Sequence, residues 1–175
     1  MMQEYSTWDA DYNDIVEFIR VRLVRLAVRD DVNLGAHTSV LMPGSGTFSV
    51  ESVIGSVIPA DGKLLVLNNG AYGARITTIA RMLGIDTVEL GQAETEPTDL
   101  GQVETMLTAD KAITHVAMVH CETTTGMLNP VESVGEMVRR HGREFILDAM
   151  SSFGGIPLSM ESTGAHYLVS SANKC

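Results

Sequence analysis

The stretch ITHVAMVHCETTTGMLNPVESVGEMVRRHGREFILD, running from Ile113 to Asp148, carries the architecture. Ile113 to Val119 is an apolar run of strand length, Glu144 to Asp148 is another, and the segment Val131 to His141 between them reads as a helix. Strand, helix and strand in that order make a βαβ unit, whose two strands run parallel in one sheet. Working outward, Tyr167 to Ser170 reads as a further strand. On the other side come a helix over Thr98 to Leu107, a short strand over Thr87 to Leu90, a helix over Ala71 to Leu83 and a strand over Lys63 to Leu67. Before these stand a helix carrying Val50, Val53, Ile54 and Val57, a glycine-rich turn at Pro43-Gly44-Ser45-Gly46-Thr47, and a short strand near Thr38 to Met42.

The chain starts with a helix capped at Asn13 or Asp14. Ile15, Phe18, Ile19, Leu23 and Leu26 recur there at three and four residues, the pattern of a packing face. Arg20, Arg22, Arg25 and Arg29 share this segment with Asp30 and Asp31 close behind, which reads as a solvated face. The expectation is therefore an α/β fold: a mostly parallel sheet with helices on both faces, forming one compact domain over residues 1–175.

Composition narrows the function. A chain of 175 residues with 45% hydrophobic and 19% charged residues is that of a globular protein able to bury a core. Its net charge of -10 and pI near 4.8 disfavour nucleic acid and anionic membrane, both of which are held through Lys and Arg. Cys121 and Cys175 make no disulfide framework, and no apolar run is long enough to span a membrane. A cytoplasmic protein acting on small molecules is expected.

In parallel sheets ligands gather beyond the carboxyl ends of the strands. The residues there are Ser45-Gly46-Thr47, Asn68 to Gly73, His120 to Gly126, Asp148-Ala149 and Ser171 to Lys174. Ser45-Gly46-Thr47 ahead of a helix offers free N–H groups, hydroxyls and a positive dipole end that suit a phosphate, and equally serves as an ordinary N-cap. The lysine that ends a nucleotide P-loop is missing. Tyr72, between Gly70 and Gly73, either presents its ring to a flat ligand or packs. His120, Cys121 and Glu122 are ligand types, but neighbours on an extended segment point to opposite sides and do not converge on a metal. The threonines that follow either bond a ligand or bond their own backbone. Asp148, ending a buried strand, needs a partner: a pyridinium N–H, a helix terminus or a cation. A carboxylate at one strand end and an amine, Lys174, on the turn after a later strand are together the pair that pyridoxal 5'-phosphate chemistry uses.

Six blocks, in order, match a known family. They are Thr7-Trp8-Asp9-Ala10-Asp11-Tyr12-Asn13, Pro43 to Thr47, Asn69 to Arg75, His120 to Gly126, Asp148 to Gly155 and Ser171 to Cys175. They strongly resemble the class V aminotransferases, and the first and last point to the 2-aminoethylphosphonate branch. The resemblance implies the large-domain fold of type I pyridoxal-phosphate-dependent transferases. It implies that Lys174 bonds the cofactor aldehyde and shuttles a proton, and that Asp148 keeps the pyridine nitrogen protonated. Tyr72 would stack on the ring, Ser45, Gly46 and Thr47 would hold the phosphate, Thr123 would lie near the phenolic oxygen, and Thr125 and Asn173 would stand close by. The implied reaction moves the amino group of 2-aminoethylphosphonate to pyruvate, giving phosphonoacetaldehyde and alanine, in a homodimer that uses no metal. The neighbouring readings are another class V transaminase acting on alanine or serine, and a non-catalytic remnant that only dimerises. Family members are about twice this length, so the chain is expected to be a partial cofactor-binding domain without the small C-terminal domain, inactive by itself.

Overall fold

The computed structural model describes residues 4–29 and 34–174, so Asp30, Asp31 and Cys175 lie outside the described residues. The chain forms two compact units, residues 1–43 and residues 44–175.

The first unit holds helix α1, Ala10–Ala27, and a short 3-10 turn, Leu34–Ala36. The helix starts earlier than its apolar periodicity predicts, with Asp9 rather than Asn13 or Asp14 at the N-cap. The carboxylate of Asp9 is turned backward and accepts from the Ser6 N–H at 2.6 Å. The expected packing face is not buried: Phe18 is 61% and Leu26 58% exposed, and no described residue of α1 is buried. The expected strand at Thr38 to Met42 is also absent. Arg20 takes its place in the hydrogen-bond account, donating from Nε to the Ser39 carbonyl at 2.9 Å and from Nη2 to the Thr38 hydroxyl at 2.8 Å. A ladder needs that carbonyl free, and Val40, at 73% exposure, has no apolar surface to cover it.

The second unit is the βα alternation. Its elements are α2 (Gly46–Val57), β1 (Lys63–Asn68), α3 (Ala71–Met82), β2 (Asp86–Gly91), α4 (Leu100–Ala109) and β3 (Ile113–Val119). There follow β4 (Cys121–Glu122), β5 (Met127–Leu128), α5 (Val131–Arg140), β6 (Glu144–Asp148), α6 (Met160–Thr163) and β7 (Tyr167–Val169). Five strands form one sheet in the order β2-β1-β3-β6-β7, every neighbouring pair parallel. The small antiparallel hairpin β4-β5 and the four-residue α6 were not predicted, because two-residue strands and a single helical turn carry no periodicity.

The strands are apolar almost without alternation because both sheet faces are covered. On one face Leu64 and Val66 of β1, Ala117 of β3 and Ile146 of β6 share a cluster with Val50 and Ile54 of α2 and with Ile76, Ile79 and Ala80 of α3. Phe145, next to Ile146 on β6, points to the opposite face. A methyl group added at Gly135 of α5 would meet both the Phe145 ring and the backbone carbonyl of Thr163, so α5 and α6 cover that second face. Phe145, Leu65, Leu67 and Leu147 are at most 2% exposed. Each such side chain contributes about 1.5–3 kcal/mol of burial free energy.

Candidate functional site

Parallel pairing brings the loops after β1, β3, β6 and β7 to one edge of the sheet. Asp148 stands in register with Val119 on one side and Val169 on the other, so the chain beyond each of these residues emerges at the same level. The strand order also reverses at β1, whose sequence neighbour β2 lies on one flank and β3 on the other. Such a reversal opens a crevice at the carboxyl end.

A narrow crevice there is lined by Thr47, Tyr72, Arg75, Asp148 and Met150, with Val50, Ile76 and Ile79 beneath. Three residues singled out in the sequence therefore share one lining. Thr47 arrives at the first turn of α2, where Ser45 is the N-cap and its Oγ accepts from the Phe48 N–H at 3.2 Å. The backbone N–H groups of Gly46 and Thr47 have no acceptor among the described residues, so α2 presents the free donors an anion needs. Gly46 is where the backbone comes close to its neighbours: a Cβ there would press on the Met150 side chain and sit 3.4 Å from Cβ of Ser171.

Asp148 is the electrostatic feature of the crevice. It is 5% exposed, its Oδ1 accepts from the Met150 N–H at 3.0 Å, and no ion pair reaches it among the described residues. Burial pushes its carboxyl up to about 6, with the nearby Glu122 charge adding to the rise and Arg75 and the Met150 hydrogen bond opposing it. An ionised carboxylate so placed stands ready for a cationic N–H partner.

Arg75, Met150 and Glu122 are the residues that sequence reasoning left without a role. Arg75 lies one helical turn after Tyr72, its guanidinium carbon 4.9 Å from the ring centroid, and Nη1 donates to the Thr47 hydroxyl at 3.3 Å. The i,i+3 spacing was the available signal. Glu122, fully buried, accepts from the N–H groups of Tyr72 and Gly73 and from the Thr124 hydroxyl. Its backbone donors, Tyr72 and Gly73, lie far away in sequence, so no local pattern could disclose them.

The remaining predicted residues lie on the same edge but outside the crevice lining. Thr123 and Thr125 are exposed on the β4-β5 turn, where Thr125 Oγ1 accepts from its own loop at Met127 N–H, 3.3 Å. Asn173 and Lys174 are exposed on the turn after β7, Asn173 accepting from the Ser171 hydroxyl at 2.6 Å. His120 belongs to the scaffold: its Nδ1 pairs with the buried Ser152 hydroxyl at 2.8 Å, and burial lowers its pKa. A wider depression of about 780 Å³ lies elsewhere, near Glu89, Glu96 and Asp99. Glu89 is engaged there by Asn68 and Arg81, and Asp99 caps α4, so these carboxylates serve the fold.

The geometry has counterparts in known proteins. The family model Aminotransferase class-V matches residues 17–175. The chain is 56% identical to a 2-aminoethylphosphonate--pyruvate transaminase of Vibrio vulnificus, all of this chain aligning to 47% of that protein. It is 55% identical to the protein of that name from Syntrophobacter fumaroxidans, covering 46% of it. The chain thus spans about half the length of the curated relatives it matches. Among solved structures, pyridoxamine-pyruvate aminotransferase from Mesorhizobium loti superposes with a TM-score of 0.87 over 99% of this chain and 43% of that one, at 28% identity. An aspartate aminotransferase from Thermus thermophilus, at 18% identity and a TM-score of 0.86 over 99% of this chain and 47% of its own, shares the fold.

Proposed function

This chain belongs to the class V aminotransferase family, and from that premise we propose that it serves transfer of the amino group of 2-aminoethylphosphonate to pyruvate, giving phosphonoacetaldehyde and alanine. Class V aminotransferases use pyridoxal 5'-phosphate. The observation that carries the reading is the single crevice in which the free N–H end of α2, the Tyr72 ring and the buried Asp148 carboxylate meet. The choice of phosphonate donor is supported by relatives 51–56% identical over the whole chain that bear that name.

The residues fit the cofactor. Asp148 has burial without an ion pair, which a pyridine N–H relieves. The Met150 side chain is packed against Gly46 at the α2 terminus, and its flexible thioether would withdraw to admit a phosphate there. Bound pyridoxal 5'-phosphate supplies an aldehyde that takes up an amine and a ring that accepts the electrons released when a carbon-bound proton leaves. Ser45, Gly46 and Thr47 hold the phosphate through backbone N–H groups and hydroxyls. Asp148 keeps the ring nitrogen protonated. Tyr72 covers one face of the ring. Lys174 would hold the cofactor through Nζ and supply the base that moves a proton, while Thr123, Thr125 and Asn173 would bond polar atoms at the rim.

The donor carries no carboxylate on its amino-bearing carbon, so a proton is what leaves there and specificity rests on the distant phosphonate. Within this reading residues 1–175 are a partial cofactor-binding large domain of a cytoplasmic homodimer in phosphonate catabolism. The exposed Phe18 and Leu26 of α1 support association.

The test is covalent capture. The chain is incubated with pyridoxal 5'-phosphate, reduced with borohydride and digested, and the label is expected on Lys174. Addition of 2-aminoethylphosphonate before reduction is expected to prevent labelling more effectively than serine does. No label, or a label spread over surface lysines, overturns the cofactor role, and preferential protection by serine overturns the choice of donor.

A further inference from the structure

Two helices start at the carboxyl edge of the sheet with glycine in or beside the first turn: α2 behind Ser45-Gly46-Thr47, which the sequence offers as an anion site, and α3 behind Asn69-Gly70. They differ in who uses their donors. At α2 the N–H groups of Gly46 and Thr47 are free among the described residues. At α3 the N–H of Tyr72 reaches both oxygens of Glu122, at 3.3 and 3.2 Å, and the N–H of Gly73 reaches Oε2 at 3.4 Å. Glu122 is fully buried, and the Thr124 hydroxyl adds a donor to Oε1 at 3.4 Å. Gly70 is required by this contact rather than by its backbone angles, since its φ of 174° is extended and a Cβ would collide with the Glu122 side chain. A second tie across the reversal of strand order runs between Asn69 and Asn129, whose side-chain amides exchange hydrogen bonds of 2.7 and 3.0 Å.

A buried carboxylate at a helix N-terminus satisfies the orphan donors and opposes the positive end of the dipole. It also makes that terminus unavailable to a ligand anion.

We propose that Glu122 is a positioning residue: its carboxylate fills the anion position of α3, which leaves α2 as the phosphate seat and fixes the first turn of α3 so that Tyr72 meets the cofactor ring at a set height. The inference rests on the cofactor reading above and deepens it. Glu122 does not line the crevice. It acts through the backbone of Tyr72 and Gly73, and its charge also bears on Asp148.

The experiment uses the full chain and the variant Glu122→Gln, which keeps the shape and one acceptor oxygen, beside Glu122→Ala. Amide hydrogen exchange over residues 70–76 is measured first, without cofactor, with residues 45–50 as reference. Faster exchange confined to the α3 segment in Glu122→Gln is expected, and unchanged exchange overturns the proposal whether or not cofactor binds. Affinities for pyridoxal 5'-phosphate and, by competition, for inorganic phosphate are then compared. Glu122→Gln is expected to weaken the cofactor about tenfold while leaving inorganic phosphate within about twofold, because ring placement is lost and the α2 seat is intact. Equal weakening of both ligands assigns Glu122 to fold maintenance alone and overturns the positioning role, as does no weakening of either. If Glu122→Ala does not fold, Glu122→Gln decides. A wild-type chain that binds no cofactor but exchanges faster at 70–76 on substitution sinks the functional reading and leaves Glu122 as the lock of α3.

Discussion

The two edges of the five-stranded sheet treat charge in opposite ways. At the amino edge the charge of Lys63, which opens β1, is paired: its Nζ lies 2.8 Å from Asp110 and 3.7 Å from Asp86, while burial lowers the pKa of His115, whose Nε2 lies 3.4 Å from Glu144. At the carboxyl edge Asp148 and Glu122 are both buried, and neither has an ion-pair partner among the described residues. Glu122 is satisfied by backbone donors, while Asp148 keeps a single backbone hydrogen bond and a pKa raised to about 6 by burial. At the amino edge the fold itself supplies the counter-charges of Lys63. The carboxyl edge keeps a buried carboxyl group with no counter-charge among the described residues, a pattern that costs stability and is common at functional sites.

Substitutions at the two edges sharpen or break this contrast. The largest effect is expected from Lys174→Ala: the label introduced by pyridoxal 5'-phosphate and borohydride disappears entirely, with circular dichroism unchanged, since this lysine is exposed and supports no packing. Mass mapping checks it, and persistent labelling of one other lysine would move the anchor elsewhere.

Asp148→Asn is expected next, with opposite signs for stability and binding. Folded Asp148 keeps its proton to about pH 6, against an ordinary carboxyl value of 3.8, so the native state binds the proton more tightly than the unfolded chain. The stabilising contribution of that proton is whole below the unfolded value and is lost as pH rises through the folded one. Removing the ionisable group should therefore raise the unfolding free energy by about 3 kcal/mol near pH 8 and leave it unchanged near pH 3, by conversion of the pKa difference. Cofactor affinity falls in the same variant. Urea unfolding at both pH values reads the first effect, and a loss of stability near pH 8 would break the contrast between the edges.

Gly70→Ala should cost about 1–3 kcal/mol, the range for forcing a methyl group into a packed interior, by driving Glu122 away from α3. Denaturant midpoints measure it, and a neutral result would mean that Glu122 yields without loss. Smallest is Lys63→Met at the amino edge, a slight destabilisation at low ionic strength that disappears in high salt, because the lysine is exposed to screening. A loss as large as that of Gly70→Ala would erase the distinction.

Legibility varied with the range of the physics. The elements of residues 44–175 were readable because a parallel sheet buried on both faces makes strands nearly continuous in apolar residues, as in Ile113–Val119 and Glu144–Asp148, and the helices between them are longer than a turn. Residues 1–43 were read less well. A periodic apolar face predicts burial only when something covers it, and the segment Thr38 to Met42 had strand composition without a strand beside it. Thr47, Tyr72 and Asp148, which share the crevice lining, stood out in the sequence because each follows or ends a recognisable element. Arg75 was overlooked although it stands three residues after Tyr72, and Glu122 because the first turn of α3 is distant in sequence.

The order of residues alone determined the alternation of strands and helices, the chain's acidity, and the presence of a lysine and an aspartate beyond apolar runs, since these follow from local periodicity and composition. Only the tertiary structure decided that Asp148 shares a crevice with Thr47 and Tyr72, that α2 keeps free N–H groups, and that Glu122 occupies α3. The physical reason is that desolvation and hydrogen-bond competition are settled by which segments the parallel register brings side by side, and that register is a property of the whole sheet.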